Sequence, residues 1–212
     1  MKQRIYSISL FALFGLLLSS CGTSTKLTAH WAEKSYEKGQ IKAILILGIT
    51  KRPAVRGIFE DDMVEKLAYY GVEGTASSEI FPIDEKLDTT TFRLHFQNEG
   101  FDAVLTAQLV AEDKESHYEP GSSYYGGGYG YNRGFYGYYG SAYDNMYSPG
   151  YTVTTTTLKI ETNLYDTKTE KLIWTGISET FNPAGESDAI RSLNREITKV
   201  LNEQGYFYKE PK

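Results

Sequence analysis

Residues 41–49, IKAILILGI, limit what this chain can fold into more than any other stretch. The run is nearly continuously apolar and rich in isoleucine, which fits a strand buried on both faces better than a one-sided edge strand. A central strand is therefore expected as the first element of the folded body. After a breaker stretch at 50–53, Val55, Phe59, Met63 and Leu67 recur every fourth position, with Ile58 and Val64 beside them. That spacing predicts an amphipathic helix whose carboxylates Glu60, Asp61 and Asp62 face water, ended by Gly71.

Residues 72–81 read as a second strand closed by Pro82. Asp88, Thr89 and Thr90 offer an N-cap for a second helix carrying Phe92, Leu94 and Phe96, which Gly100 ends. The strand FDAVLTAQLVA follows at 101–111. Strand, helix, strand, helix, strand is the order of parallel pairing with crossovers. The second half changes character. Residues 152–165 alternate as a half-buried strand, 166–169 read as a turn, and 171–181 read as its hairpin partner. Ile190, Leu193, Ile197, Val200 and Leu201 mark a last helix, with Ser187 or Asp188 as its cap and Gly205 as its end. The expected fold class is α/β (α+β): a mixed sheet flanked by about three helices, with a long Tyr/Gly-rich loop insert.

That insert is the least ordinary part of the chain. Between 121 and 151 stand ten tyrosines, Phe135 and nine glycines, while Arg133 and Asp144 are the only charges. With Ala142 and Met146 as its only aliphatic side chains, the segment has nothing from which to build a core, and glycine maximises its backbone entropy. Residues 112–151 are therefore expected to form a solvated insert within a single domain spanning 40–208. Tyrosine is also a rigid amphipathic group, enriched where proteins meet glycans, other proteins or membrane interfaces. Tyr124, Tyr125, Tyr129, Tyr131, Tyr136, Tyr138 and Tyr139 are the candidate recognition residues. A β-ribbon extending from the sheet is a further possibility for this region.

At the N-terminus, Lys2 and Arg4 precede an apolar stretch at 8–18 and the small residues Ser19 and Ser20. Basic, apolar, then small is the order of a signal peptide, here residues 1–20. An apolar stretch of eleven residues is too short to span a hydrocarbon core of about 30 Å comfortably. The chain's one cysteine follows in Leu18-Ser19-Ser20-Cys21-Gly22, which resembles the lipobox of bacterial lipoproteins. The resemblance implies lipid attachment at Cys21 and a membrane partner through that anchor. No acidic residue follows in 22–26, which by the same resemblance implies an outer-membrane lipoprotein facing the periplasm, with surface display as the alternative. Residues 21–39 read as a lipidated tether, polar and without a sustained apolar period.

Other function classes find little support. Loss of the leader removes two of the 22 basic residues and none of the 27 acidic ones, leaving a net charge of −7 and no basic footprint for nucleic acid. His30, His95 and His117 are scattered without metal-ligand spacing, so no metal or catalytic residue is assigned. The Gly-rich run at 126–134 lacks the preceding strand and following helix of a phosphate loop, and no cofactor is expected. Trp174 reads as a core residue, with Gly176 leaving room beyond it.

Residues 164–176, LYDTKTEKLIWTG, together with 100–105, GFDAVL, resemble the hairpin and strand entry of uncharacterised bacterial lipoproteins that carry a domain of unknown function. More loosely, the strand–helix alternation resembles periplasmic α/β lipoproteins that activate cell-wall synthases or assemble secretion pores, and the N-terminal domain of the Tol-system propeller protein. What these resemblances imply is a non-enzymatic adaptor of the cell envelope with a protein partner. A glycan- or peptidoglycan-binding lipoprotein using the Tyr-rich insert is the alternative.

Overall fold

The computed structural model describes residues 23–81, 100–119 and 150–209. Six strands form one mixed sheet: β1 (Ser24–Ala32), β2 (Ala43–Ile49), β3 (Glu73–Ala76), β4 (Ala103–Glu119), β5 (Tyr151–Asp166) and β6 (Leu172–Phe181). Among the described residues three helices accompany them: α1 (Pro53–Tyr69), the single turn α2 (Ser77–Ile80) and α3 (Glu186–Glu203). Strand order across the sheet is β1-β6-β5-β4-β2-β3. The α/β class expected from the alternation is the class observed.

The apolar run behaves as its composition demands. Ile44, Leu45 and Ile46 are all buried in β2, which pairs in parallel with β3 on one side and β4 on the other. Successive side chains leave opposite faces of a strand. Ile44, Ile46 and Gly48 thus point to α1, and Leu45 points away from it. Gly48 lets α1 come close, since a Cβ there would lie 3.2 Å from the Phe59 ring. Phe59, Met63 and Leu67 form the buried stripe of α1, and Gly71, at φ +75°, turns the chain out of the helix. Helix α3 lies beside α1 on the same face, burying Ile190, Leu193, Ile197 and Leu201.

Trp174 is fully buried in the core, and a Cβ on Gly176 would fall within 2.5 Å of its ring. The hairpin β5–β6 turns where Asp166 accepts hydrogen bonds from the Thr169 amide (2.8 Å) and hydroxyl (2.6 Å). Past α3, Phe207 bridges to Ile41, and the buried Tyr206 donates its hydroxyl to the Ile173 carbonyl at 3.2 Å.

Four expectations need correction. Residues 24–32, read as tether, form the edge strand β1, antiparallel to β6. An edge strand covers the core with one face only, and a bulge between Leu27 and Ala29 shifts its alternation, so no apolar period survives in the sequence. Instead, the buried Thr25 and Thr180 hydroxyls meet at 2.7 Å. The strand expected over 72–81 is only Glu73–Ala76, because the chain breaks into α2 at Ser77. The insert does not begin at Glu112, since β4 continues to Glu119 and β5 already starts at Tyr151. Finally, α3 begins after Gly185, and the Asp188 carboxylate, rather than capping it, takes a hydrogen bond from Thr23. The helix expected over 88–99 lies outside the described residues.

Candidate functional site

One end of the sheet gathers the features that have the character of a site. At this end β2 finishes, α1 and α3 begin, β1 enters and β6 finishes: Ile49 pairs with Gln108, and Ser24 and Thr157 both pair with Phe181. In open α/β sheets the C-terminal ends of parallel strands are the usual place for a ligand. Between the first turns of α1 and α3 and the facing strands lies a cleft with Phe59, Ile190 and Leu193 against Leu158 and Ile160. Its rim is charged. Arg52, just ahead of α1, grips Glu186 at the start of α3 through both guanidinium nitrogens, one of them at 2.8 Å.

Beneath the cleft sits a buried polar cluster. Glu60 is fully buried and accepts from the Gly48 amide (3.0 Å), Arg56 Nε (2.9 Å), the Ser77 hydroxyl (2.6 Å) and the Ser78 amide (2.9 Å). Arg56 also donates to Ser77 at 2.7 Å. Burial alone pushes the Glu60 carboxyl up, but the hydrogen bonds from Ser77, Gly48, Arg56 and Ser78 outweigh it and hold the group below the usual glutamate range. The cluster bolts the end of β2 to α1 and to the turn after β3. Its carboxylate, already enclosed by donors, is a structural rather than an open acid–base group.

The three consecutive carboxylates thus part company. Glu60 points inward, against the expectation of a solvated face, because position 60 falls beside Phe59 and Met63 on the buried side. Asp62 accepts from Asn194 of α3 at 2.9 Å and lies 3.4 Å from Lys66. Asp61 alone faces solvent. Among the described residues no group of three His, Cys, Asp or Glu side chains is placed to hold a metal. His30 and His117 are exposed on different strands, and His95 lies outside the described residues.

Beyond the sheet, β4 and β5 continue alone. The last residue shared with β6 is Thr157, yet pairing runs on from Lys114↔Thr156 to Glu119↔Tyr151. Six residue pairs at about 3.3 Å per step make a two-stranded ribbon about 20 Å long. One of its faces carries Glu115, His117 and Glu119, the other Lys114, Ser116 and Tyr118. The β-ribbon weighed for the Tyr/Gly segment lies outside the described residues; the observed one has no apolar alternation in EDKESHYE to mark it, and the threonine run at 154–157, rich in β-propensity, is its available signal. Cys21 and the candidate tyrosines Tyr124, Tyr125, Tyr129, Tyr131, Tyr136, Tyr138 and Tyr139 lie outside the described residues. The chain leaves the ribbon at Glu119 and rejoins it at Tyr151, so those tyrosines are attached to the ribbon's far end.

Residues 79–203, from α2 to the last turn of α3, match the family model described as Domain of unknown function (DUF4136). The chain belongs to the DUF4136 family. The DUF4136 match contains the ribbon, the hairpin and α3, while β1, β2, α1 and β3 precede it. No curated protein matches the chain. Among solved structures, a PelC dodecamer from Paraburkholderia phytofirmans is similar at 11% identity and a TM-score of 0.45, over 88% of this chain and 99% of that one. Lipoprotein GNA1162 from Neisseria meningitidis is similar at 15% identity and a TM-score of 0.38, over 76% and 96%. A PDZ domain protein from Parabacteroides distasonis is similar at 11% identity and a TM-score of 0.37, over 90% of this chain and 38% of that one.

Proposed function

We propose that this DUF4136 protein is a lipid-anchored, non-enzymatic interaction module of the bacterial cell envelope. Acyl chains on Cys21 hold it at the periplasmic face of the outer membrane, and it acts by binding another envelope component. The observation that carries this reading is the ribbon: one strand pair of six residue pairs with no core to bury, from whose far end the chain continues into the segment with Tyr124, Tyr125, Tyr129, Tyr131, Tyr136, Tyr138 and Tyr139. The enclosed Glu60 carboxylate already meets four donors, and a tyrosine-rich segment offers contact surface; both support binding as the role.

The test is crosslinking of the full-length protein in living cells, with and without residues 121–150, followed by identification of what is captured. A protein partner lost with the segment supports the adaptor reading. Capture of peptidoglycan or another glycan in its place shifts the reading to glycan binding, and a partner list unchanged by the deletion removes the tyrosines from the site.

A further inference from the structure

We propose that the β5 edge of the ribbon is a self-recognition strand, which pairs antiparallel with the same edge of a second copy of this chain about a twofold axis through Thr152. Beyond the sheet neither side of the ribbon has a neighbour among the described residues, since β2 leaves β4 at Gln108 and β6 leaves β5 at Thr157. The backbone groups of successive residues in a strand point to alternate sides. The Asn182 amide donates to the Thr156 carbonyl at 2.7 Å, which fixes the phase: Thr156, Thr154 and Thr152 turn their N–H and C=O away from β4. At Thr154 and Thr152 no strand among the described residues meets them. Folded proteins blunt such edges with charge, proline or a bulge. The outer edge of β1 has a bulge and Lys26, and that of β4 has Glu112, Asp113, Lys114, Glu115 and Glu119, with Pro120 next in the chain. Residues 151–158, YTVTTTTL, have no charge and no proline, pair with β4 without a bulge, and are β-branched at six of eight positions, so this edge is left open to another strand.

The edge complements itself. With the axis at Thr152, that residue meets its own copy as a hydrogen-bonded pair, Thr154 stands opposite residue 150, and Tyr151 stands opposite Val153 on both sides of the axis. Tyr151 and Val153 share one face of the strand and are 64% and 42% exposed, so the contact covers both through two aromatic–β-branched pairs. The β4 edge offers no such register. Axes at Lys114 and at Glu115 set each of these residues against itself, an axis at Ser116 sets Asp113 against Glu119, and one at His117 sets Glu115 against Glu119, all pairs of like charge. Pairing β5 of one copy with β4 of another the same way up is blocked, because β6 and β1 of the first would occupy the place of β2 and β3 of the second. The twofold arrangement instead sets the two bodies at opposite ends of a four-stranded ribbon. Its paired stretch ends at Thr154, two residues short of Thr156, where Asn182 already sits. Such a contact is closed, and it makes a dimer rather than a fibre. It also brings the far end of each ribbon, where the chain runs on toward the tyrosines, to the base of the other copy's ribbon. The inference goes beyond the role proposed above and needs neither the Cys21 anchor nor an envelope partner, although confinement to one membrane surface would raise the occupancy of so short a contact.

The test is disulfide mapping of the full-length protein in living cells under mild oxidation, with the parent chain, whose one cysteine is Cys21, as the blank. Opposed residues of an antiparallel pair stand about 4.5–5.5 Å apart, within the span of a disulfide, whereas diagonal neighbours at about 7–8 Å lie outside it. Thr152→Cys is expected to become largely a dimer joined 152 to 152, and Tyr151→Cys and Val153→Cys chains made together are expected to join 151 to 153. Either of the latter alone, and Ser116→Cys on β4, are expected to stay single, with every linkage read from peptide masses. Absence of both the 152–152 and the 151–153 linkage overturns the inference. Equal linkage at 116, 151, 152 and 153 overturns it as well, because collision rather than a register is then at work. Capture of a different protein by Thr152→Cys, in place of its own copy, gives the edge to that protein and removes the second copy from it. None of these outcomes touches the anchor, which the acylation state of Cys21 decides separately.

Discussion

Glu60 and Arg56, one turn apart on α1, form an ion pair at 2.9 Å in which the carboxylate is wholly removed from water. Four donors converge on that carboxylate, and they tie three elements together at one point: the end of β2, the first half of α1 and the turn that follows β3. Glu60→Gln keeps the shape and deprives the buried Arg56 of this counter-charge. Loss of one partner of a buried pair destabilises by about 3–5 kcal/mol. Chemical denaturation is expected to show a loss in that range, with Ser77→Ala weaker at about 1–2 kcal/mol.

The same pair sets an acid limit. Folded Glu60 holds its proton less tightly than an ordinary glutamate. The unfolded chain therefore takes up the proton first as pH falls through about 4.3, and the stability contributed by Glu60 is present above that value and lost below it. Calorimetry between about pH 3 and pH 7 is expected to give a falling Tm on the acid side, with a shallower fall in Glu60→Gln. An identical slope in both proteins counts against this assignment.

At the alkaline end the sign comes from Tyr36. Burial, with the Asp166 and Asp102 carboxylates adding to it, pushes its hydroxyl up to about 12. An unfolded tyrosine ionises near pH 10, so between these values unfolding releases a proton and stability falls as pH rises. Tyr36→Phe is expected to flatten that part of the alkaline limb, read as Tm against pH alongside tyrosinate absorbance.

The ribbon and the edge strand differ in what they hold up. Excising 114–156 and joining Asp113 to Thr157 through Asn-Gly, the preferred two-residue hairpin turn, removes no buried residue among those described. Its Tm is expected to stay within about 0.5 kcal/mol equivalent of the parent. A chain that starts at Gln40, by contrast, strips β1 from β6 and exposes Trp174 and the Thr180 hydroxyl. Loss of cooperative melting in the second protein and not in the first is the expected outcome.

Residue 176 offers a separate check on the core. A methyl group there would meet the rigid Trp174 ring at 2.5 Å and the Leu27 side chain at 2.8 Å. Gly176→Ala is expected to cost about 1–3 kcal/mol by overpacking and to shift the emission of Trp174.

Legibility followed burial. Residues 41–49, the stripe of Phe59, Met63 and Leu67, and the core position of Trp174 could be read because each buries apolar surface with the period of its element. β1 and the ribbon could not, because their pairing is carried by backbone hydrogen bonds and their side chains are mostly wet. Glu60 was misread for the opposite reason. A carboxylate inside the core is paired through Gly48, Ser77 and Ser78, residues 12 to 18 positions away, and no local pattern marks such a contact. The cleft between α1 and α3 was invisible for the same cause, since Arg52 and Glu186 meet across 134 positions.

The edge position of β1 also has a mechanical meaning. Ser24 is hydrogen-bond level with Phe181, and the strand runs from there alongside β6 to Ala32. Tension applied to the N-terminus along the strand axis loads the bonds of this ladder in shear, all at once, whereas tension across the sheet would peel them one by one. A protein held through Cys21, as proposed, would be gripped through a seam loaded in shear, and a load reaching the body from elsewhere would be shared along the whole seam before any single bond gives way.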